Sequence, residues 1–392
     1  MQYRIDPKSG NKLSVLGLGC MRFPPMGHPD AATAERIIRE AVACGINYLD
    51  VAYLYPGVED VVGRALENAG LRSQVYLATK LPHGQCKTLA DVERIFAEQL
   101  ERLRTDYVDY YLIHNVTAPD QWQHLVDLGI EQWIAERKAE GSIKQIGFSF
   151  HGGQGAFAPL LDAYAWDFCQ IQYNYANERF QAGTKGLLDA AARGMAVFVM
   201  EPLLGGKLAG KLPPQAKAVF AQARTSMEPA EWALRWVWNH PEVTMLLSGM
   251  TSPEQVRANA AVAEYAPAGS MGAEDLAVID QVKVVFDRTN KVPCTGCAYG
   301  MPCPQGVNIP DCFAAYNASF AHGRFIGIQQ YVTAASALSD RPNLITNCVR
   351  CGACTKRCPQ GIDIPRRLTD ARRRLQPAPL GAAFKLVRRF SK

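Results

Sequence analysis

The chain has 392 residues, 48% hydrophobic and 20% charged, a globular composition too long for one typical domain. Its net charge of +5 is uneven: after Pro365, nine Lys or Arg face Asp370 alone, a balance of +8 that leaves −3 for the rest. A nucleic-acid-binding body is thereby excluded, and apolar runs too short for a bilayer, with no cationic start leading into an apolar stretch, point to a cytoplasmic protein with no transmembrane segment.

In chain order, QYRIDPKSGNKLS predicts a hairpin turning at Pro7-Lys8-Ser9-Gly10. Short apolar, β-branched runs then recur: SVLGLG, NYLDVA, VYLATK, YVDYYLIH, KQIGFSF, FCQIQYN, MAVFVMEPL and VTMLLSGM. Amphipathic stretches such as AATAERIIREAVACG and LADVERIFAEQLERLRTD separate them. Eight strands alternating with helices over residues 1–285 predict an α/β fold, a (β/α)8 TIM barrel with the hairpin as a lid on its bottom. The rival, a doubly wound sheet, wants a glycine fingerprint after the first strand, and GLGCMRFP is not one. HGGQG at residues 151–155 reads as a loop.

In such a barrel the chemistry sits at the C-terminal ends of the strands. There the sequence offers Asp50, Tyr55 in the following loop, Lys80 and His114. Singly, each has a structural explanation, such as a helix cap or a satisfied core histidine. Together their chemistry closes. A phenol with an ordinary pKa of about 10 is a poor acid at neutral pH, and a neighbouring lysine cation lowers that value. Asp50 would hold Lys80 as an ion pair. His114 would orient a carbonyl oxygen or join the proton relay.

GINYLDVAYLY, ATK and YLIH resemble the aldo/keto reductase family, whose Asp, Tyr, Lys and His tetrad these four residues match in order and spacing. QIGFSF, CQIQYN, MEPLLGG and SGMTSPEQVRAN resemble the family's later strand ends, so the likeness covers roughly residues 10 to 265. It implies a nicotinamide cofactor, NADP or NAD, across the barrel mouth. Ser149 and Gln170 would meet its carboxamide, and Gln255 and Asn259 its adenine side. Two departures bear on this. Many members carry a basic residue after strand eight for the 2′-phosphate of NADP; here the loop reads Gly249, Met250, Thr251, with Arg257 the nearest cation. Met200 stands where many members stack a tyrosine on the nicotinamide. Cys20 would lie near the mouth as a buried thiol or a substrate-facing one, and Cys44, Cys86 and Cys169 read as structural.

Eight of the twelve cysteines follow residue 290. In a protein without secretion signals they read as reduced thiols or metal ligands. Cys348, Cys351, Cys354 and Cys358-Pro359 form C-x2-C-x2-C-x3-C-P, a strong [4Fe–4S] signature whose fourth cysteine serves the other cluster of a pair. Zinc would want two CxxC pairs instead. The earlier copy, Cys294, Cys297 and Cys303-Pro304, has Gly300 where the third cysteine belongs. Cross-ligation then gives a complete cluster B on Cys348, Cys351, Cys354 and Cys303, and an altered cluster A on Cys294, Cys297 and Cys358. Helical linkers, PDCFAAYNASFA and FIGIQQYVTAASAL, predict a small α-helical ferredoxin-like iron–sulfur domain over residues 286–375 and a basic tail over 376–392. Cys312 is either a substitute ligand for cluster A or a buried helix thiol. With these cysteines the chain resembles the bacterial branch in which an aldo/keto reductase barrel is fused to a two-cluster ferredoxin-type domain.

Three functions compete. The first is a nicotinamide-dependent oxidoreductase interconverting a small-molecule carbonyl and an alcohol. The second is a ferredoxin-linked module passing single electrons to a protein partner or flavoprotein. In the third, the clusters are structural or redox-sensing. Hydride moves two electrons and a cluster one, so coupling them needs a converter such as a flavin, for which no motif is present. Phe23, Tyr53, Phe150, His151 and Tyr173 are expected to rim an apolar or aromatic substrate pocket. LGAAFKLVRRF in the tail reads as solvated, or as a contact with a partner or membrane surface.

Overall fold

The structure is a computed structural model that describes residues 1–335 and 343–377. The chain forms two compact units, one of Met1–Pro202 with Glu231–Met271, the other of Leu203–Ala230 with Gly272 onward.

In the first unit a two-stranded hairpin, β1 (Tyr3–Ile5) and β2 (Lys12–Ser14), precedes eight parallel strands: β3 (Leu16–Gly19), β4 (Tyr48–Asp50), β5 (Tyr76–Leu81), β6 (Val108–Val116), β7 (Ile143–Phe150), β8 (Phe168–Gln172), β9 (Ala196–Met200) and β10 (Met245–Ser248). They close in the order β10-β3-β4-β5-β6-β7-β8-β9. The expected barrel and all eight expected strands are present. β8 is buried from end to end, as a parallel strand covered on both faces requires. The outer helices are amphipathic: Ala31–Ala43 buries Ala34, Ile37, Ile38 and Ala41, and starts where Asp30 accepts from the Thr33 N–H.

Inside the barrel, Tyr48, Tyr110, Phe168 and Phe198 pack with ring centroids 5.0–5.5 Å apart and join Leu13, Met245 and Leu247 in one cluster. Each such ring contributes about 1.5–3 kcal/mol on burial. Most of these residues belong to the first half of their strands, so the bottom of the barrel is solid. The hairpin seals it: the Tyr110 hydroxyl donates to Asp6 Oδ2 at 2.8 Å and accepts from Asn11 Nδ2 at 3.0 Å. HGGQG differs from its expected form. The loop ends at Gly153 and a helix begins at Gln154, running to Asp162.

The second unit is helical among its described residues: Pro214–Ala221, Ala273–Thr289, Ile309–Ala321, Arg324–Ala334, Ala353–Lys356 and Ile364–Leu375. Its core gathers Val292, Val307, Phe313, Tyr331, Ile345 and Leu368. The Ile-Pro that closes each cysteine motif has a structural reason. Asn308 and Asp363 cap the helices that begin at Ile309 and Ile364, accepting from the N–H of Asp311 and Arg366, with proline in each first turn. No described helix is long and apolar enough to cross a membrane. Residues 378–392, including the LGAAFKLVRRF contact, lie outside the described residues.

Candidate active site

With the bottom filled by rings, the polar side chains collect at the other end of the strands. Asp50 ends β4, Lys80 is the penultimate residue of β5, and His114 sits where the β6–β7 register shifts between Ile113 and Val116. Beside it Asn115 holds a left-handed φ of 59°. A bulge re-aims the side chains at its level, and the Asn115 N–H is caught by Ser149 Oγ at 2.7 Å.

Lys80 Nζ donates to Asp50 Oδ2 and to the Val51 carbonyl, both at 2.7 Å. The lysine and aspartate side chains are 1% and 6% exposed. Burial lowers the Lys80 pKa and raises that of Asp50, and the attraction between the two opposes both shifts. Tyr55, 8% exposed, lies over them. Lys80 Nζ is 5.1 Å from its ring centre, and the His114 ring meets it edge-on at 5.8 Å. Burial, reinforced by Lys80, holds the His114 pKa well below the usual histidine value, so the imidazole is neutral at neutral pH. All four predicted tetrad residues are brought together.

Ser149 and Gln170 are register neighbours on β7 and β8. Gln170 Nε2 leans on Met200 Sδ at 3.6 Å, and its buried Oε1 has no hydrogen-bond partner among the described residues. A carboxamide, with one N–H2 donor and one carbonyl acceptor, fits this pair: Gln170 Oε1 accepts and the Ser149 hydroxyl donates. Asn259 and Gln255 lie on the helix Pro253–Val262. The first donates to Ser248 Oγ at 3.2 Å, and the second accepts from the Thr251 N–H at 2.9 Å. Arg257 is ion-paired with Glu40 at 2.8 Å and Glu254 at 3.0 Å.

Several expectations are corrected. Tyr173 does not rim a pocket. It is fully buried, its hydroxyl 2.9 Å from Thr184 Oγ1, and its ring stacks beside Trp236. Tyr53 is drawn to Glu98 at 2.8 Å and to the Arg102 guanidinium. Phe23 and Phe150 are core residues, and only His151 of the five keeps partial exposure without an outward tie of this kind. Cys20 is buried, its thiol pushed up by burial and by Asp50, which makes it structural.

Some contributors were not singled out in the sequence. Gln99 donates to the Lys80 carbonyl at 3.0 Å and joins buried Glu59 and Thr79 in a network beneath the lysine. A signal existed, since Gln99 occupies the apolar face of its helix beside Ile95 and Phe96. Arg22 crosses to Glu201 at 2.8 Å, its aliphatic chain lying where a Cβ on Gly249 would stand. Nothing local announces that contact between residues 179 positions apart.

In the second unit, Cys303, Cys348, Cys351 and Cys354 line one cavity with Val349 and Leu368. Cys297 and Cys358 are instead the charge neighbours of Cys294, whose thiol burial pushes up to about 11 against the Gly296 N–H and Lys207. Cys303 thus shares a cavity with the three cysteines of the second motif, and Cys294 of the first motif has Cys358 as an electrostatic neighbour. Among the described residues no three His, Cys, Asp or Glu close around one metal ion; thiols serving different corners of a cube stand further apart than ligands of a single ion. The two motifs share a backbone. Left-handed φ values recur at Gly296 and Arg350, at Ala298 and Gly352, and at Gly306 and Gly361, each pair at equal offsets from its cysteines. Gly300 has no left-handed φ, and a Cβ there would meet Cys354 Cβ at 3.4 Å, ordinary contact. Cys312 is buried among core side chains, with Asp311 raising its thiol beyond the effect of burial, to about 12.

Lys207 Nζ donates to Asn290 Oδ1 at 2.8 Å and to the Val292 carbonyl at 3.3 Å, two residues before Cys294. Asn317 braces the same two acceptors at 2.9 and 2.7 Å.

Residues 15–281 match the aldo/keto reductase family, and residues 293–362 match the 4Fe-4S dicluster domain. Among curated proteins, Protein tas of Escherichia coli (strain K12) is 27% identical over 320 residues, covering 66% of this chain and 92% of that protein. L-galactose dehydrogenase of Arabidopsis thaliana is 27% identical over 310 residues, covering 72% and 94%. Among solved structures, the holo form of an aldo-keto reductase from Bacillus halodurans is 28% identical with a TM-score of 0.61, covering 72% of this chain and 96% of that one. An aldo-keto reductase from Klebsiella pneumoniae in complex with NADPH is 25% identical with a TM-score of 0.59, covering 72% and 95%.

Proposed function

This chain belongs to the aldo/keto reductase family, and we propose on that footing that it interconverts a small-molecule carbonyl and an alcohol with NADPH or NADH. The observation that carries the reading is the buried Asp50–Lys80 ion pair beneath the Tyr55 ring. When bound, the nicotinamide supplies or takes the hydride. Tyr55 gives the proton to the substrate oxygen in reduction and takes it back in oxidation. Lys80 stabilises the phenolate that results, and Asp50 keeps Lys80 charged in a site where burial disfavours the cation. Neutral His114 serves as an N–H donor to the carbonyl oxygen, not as a proton store. Ser149 and Gln170 orient the carboxamide, and Gln255 and Asn259 the adenine end. The NADPH complex of the Klebsiella relative supports the phosphate form, while the commitment of Arg257 to two glutamates argues for a weak grip on the phosphate.

In the second unit, Cys303, Cys348, Cys351 and Cys354 would hold a complete [4Fe–4S] cluster. Cys294, Cys297 and Cys358 would hold a second, for which Gly300 offers no fourth thiol and water or a small ligand would complete the set. The support is Ala298, a non-glycine held at φ 62°. Such strain costs about 1 kcal/mol or more and persists where function or surroundings enforce it. A motif drifting away from its cluster would relax it. Clusters of this kind pass single electrons. A second reading, in which the protein mainly relays electrons to a partner, is favoured by the exposure of Cys351.

The deciding experiment is titration of anaerobically purified protein with NADPH and NADH, with iron and flavin quantified on the same sample. Saturable binding with carbonyl turnover supports the reading; no binding of either nucleotide overturns it.

A further inference from the structure

Cys351 is the one exposed cysteine of the twelve. It opens the cavity of the four-cysteine set to the surface, and beside it the apolar side chain of Val349 is 62% exposed among the described residues. The rim of this opening is basic. Arg350, between two of the cysteines, donates to Thr369 Oγ1 at 3.4 Å on the helix Ile364–Leu375. Arg366 and Arg373 stand three residues before and four after Thr369, on the same helical face, and both are exposed. Lys356 and Arg357 are exposed on the short turn that follows Cys354. Between residues 343 and 377 there are eight Lys or Arg against Asp363 and Asp370. Asp370 meets Arg367 and Arg373 only at 3.5 and 3.7 Å.

We propose that this edge is the docking surface for an acidic one-electron carrier protein, which exchanges electrons with the cluster held by Cys303, Cys348, Cys351 and Cys354. The inference rests on the iron–sulfur reading above and adds the place of contact and the sign of the partner. An exposed ligand brings the cluster to the surface, where electron transfer, which falls steeply with distance, is fastest. Exposed cations on the segments that line its cavity steer a negative partner and fix its orientation, and a single valine supplies the dry centre of a small, transient contact. An anionic membrane fits less well, because binding there wants a broad apolar face beside the cations. A nucleic acid fits less well because, among the described residues, no aromatic side chain lies on the rim to stack a base. In each encounter one electron passes. The carrier is oxidised by one as the cluster is reduced by one, or the reverse, and no bond or proton is exchanged.

The test uses the anaerobic full-length holoprotein and, as probe, a small acidic plant-type [2Fe–2S] ferredoxin. Association measured by calorimetry and stopped-flow reduction is expected to be saturable and to weaken steeply between about 50 and 200 mM salt, on the order expected for charge steering. Arg366→Glu/Arg373→Glu, which leaves every cysteine neighbour untouched, is expected to slow reduction by the ferredoxin about tenfold or more while reduction by dithionite, followed by electron paramagnetic resonance, is unchanged. Arg350→Glu is expected to act in the same direction. Unchanged ferredoxin kinetics in the double variant overturn the proposal. So does binding to phosphatidylserine vesicles or duplex DNA without binding to the ferredoxin. A holoprotein with no dithionite-reducible cluster overturns the iron–sulfur reading itself, and this inference with it.

Discussion

Lys80 Nζ lies 2.7 Å from Asp50 Oδ2 in a place where neither side chain has appreciable contact with water. Removing two charges from water costs several kcal/mol each, and their attraction returns it only in good geometry. Breaking the pair from one side is therefore the sharper probe. Lys80→Met leaves a buried aspartate without its cation and is expected to cost about 3–5 kcal/mol of stability along with the activity. Lys80→Met/Asp50→Leu is expected to recover much of that stability and none of the turnover. All six tryptophans (Trp122, Trp133, Trp166, Trp232, Trp236 and Trp238) lie in the barrel unit, so denaturant unfolding followed by their fluorescence reports this unit alone.

Tyr55→Phe removes the proposed proton donor while keeping the ring over Lys80. Carbonyl reduction is expected to fall about 10²- to 10⁴-fold, with nucleotide affinity nearly intact. Near-full turnover in this variant would remove the tetrad assignment.

Stability of the barrel unit is expected to fall in mild acid. His114 and His151 have folded pKa values below the ordinary 6.5, both chiefly through burial, His151 at about 4. Below pH 6.5 the unfolded chain takes up protons that the folded chain refuses. The contribution is therefore complete above pH 6.5 and lost as the pH drops toward the folded values, at about 1.4 kcal/mol per pH unit for each histidine. His151→Gln should flatten the profile between pH 6.5 and 4; an unaltered slope would mean that His151 is protonated in the fold.

Iron counting separates the three outcomes at Gly300. About eight irons per chain are expected, with an electron paramagnetic resonance signal from a site-differentiated cluster. About seven with an oxidised [3Fe–4S] signal means that the corner is lost, and about four that the first site is vacant. Gly300→Cys is sterically tolerable, since the new Cβ makes ordinary contact, and is expected to change the spectrum of the Cys294 cluster alone. A change confined to the Cys348 cluster would refute the cross-pairing. The work must be anaerobic, because a thiol at position 300 would stand within disulfide range of Cys354.

Lys207 places a cation two residues from the first cysteine of the altered site. Positive charge beside a cluster favours its reduced, more negative form. Lys207→Gln is expected to lower the midpoint potential of the Cys294 cluster and leave the other unmoved in a redox titration, and Lys207→Arg to restore it. Equal shifts in both clusters would show a structural effect instead.

The barrel and its tetrad were legible because both depend on local rules. Apolar runs of strand length separated by amphipathic helices leave little choice of architecture, and a polar residue ending an apolar strand stands out. What escaped depended on direction or distance. Tyr173 follows β8, where alternation no longer says which way a side chain turns, and it turned to Thr184. Arg22 reaches Glu201 across nearly half of the sequence. The Ile-Pro repeat was visible, but its cause, paired helix caps at Asn308 and Asp363, needed the backbone.

Residues 203–230 belong to the same unit as the cysteine motifs, and this has a consequence for synthesis. The segment is translated before β10, yet it packs against the helix Ala273–Thr289, so it leaves the ribosome some seconds ahead of its partner at roughly 5–20 residues per second. The nascent barrel must close around an excursion that has nothing yet to rest on. Its exposed side chains are then a natural target for chaperones and proteases until the downstream helices emerge. A gene cut after residue 285 would take away for good the Asn290 and Ala321 acceptors of Lys207 and Gln215, so the C-terminal region is not a cassette that can be removed without touching residues 203–230.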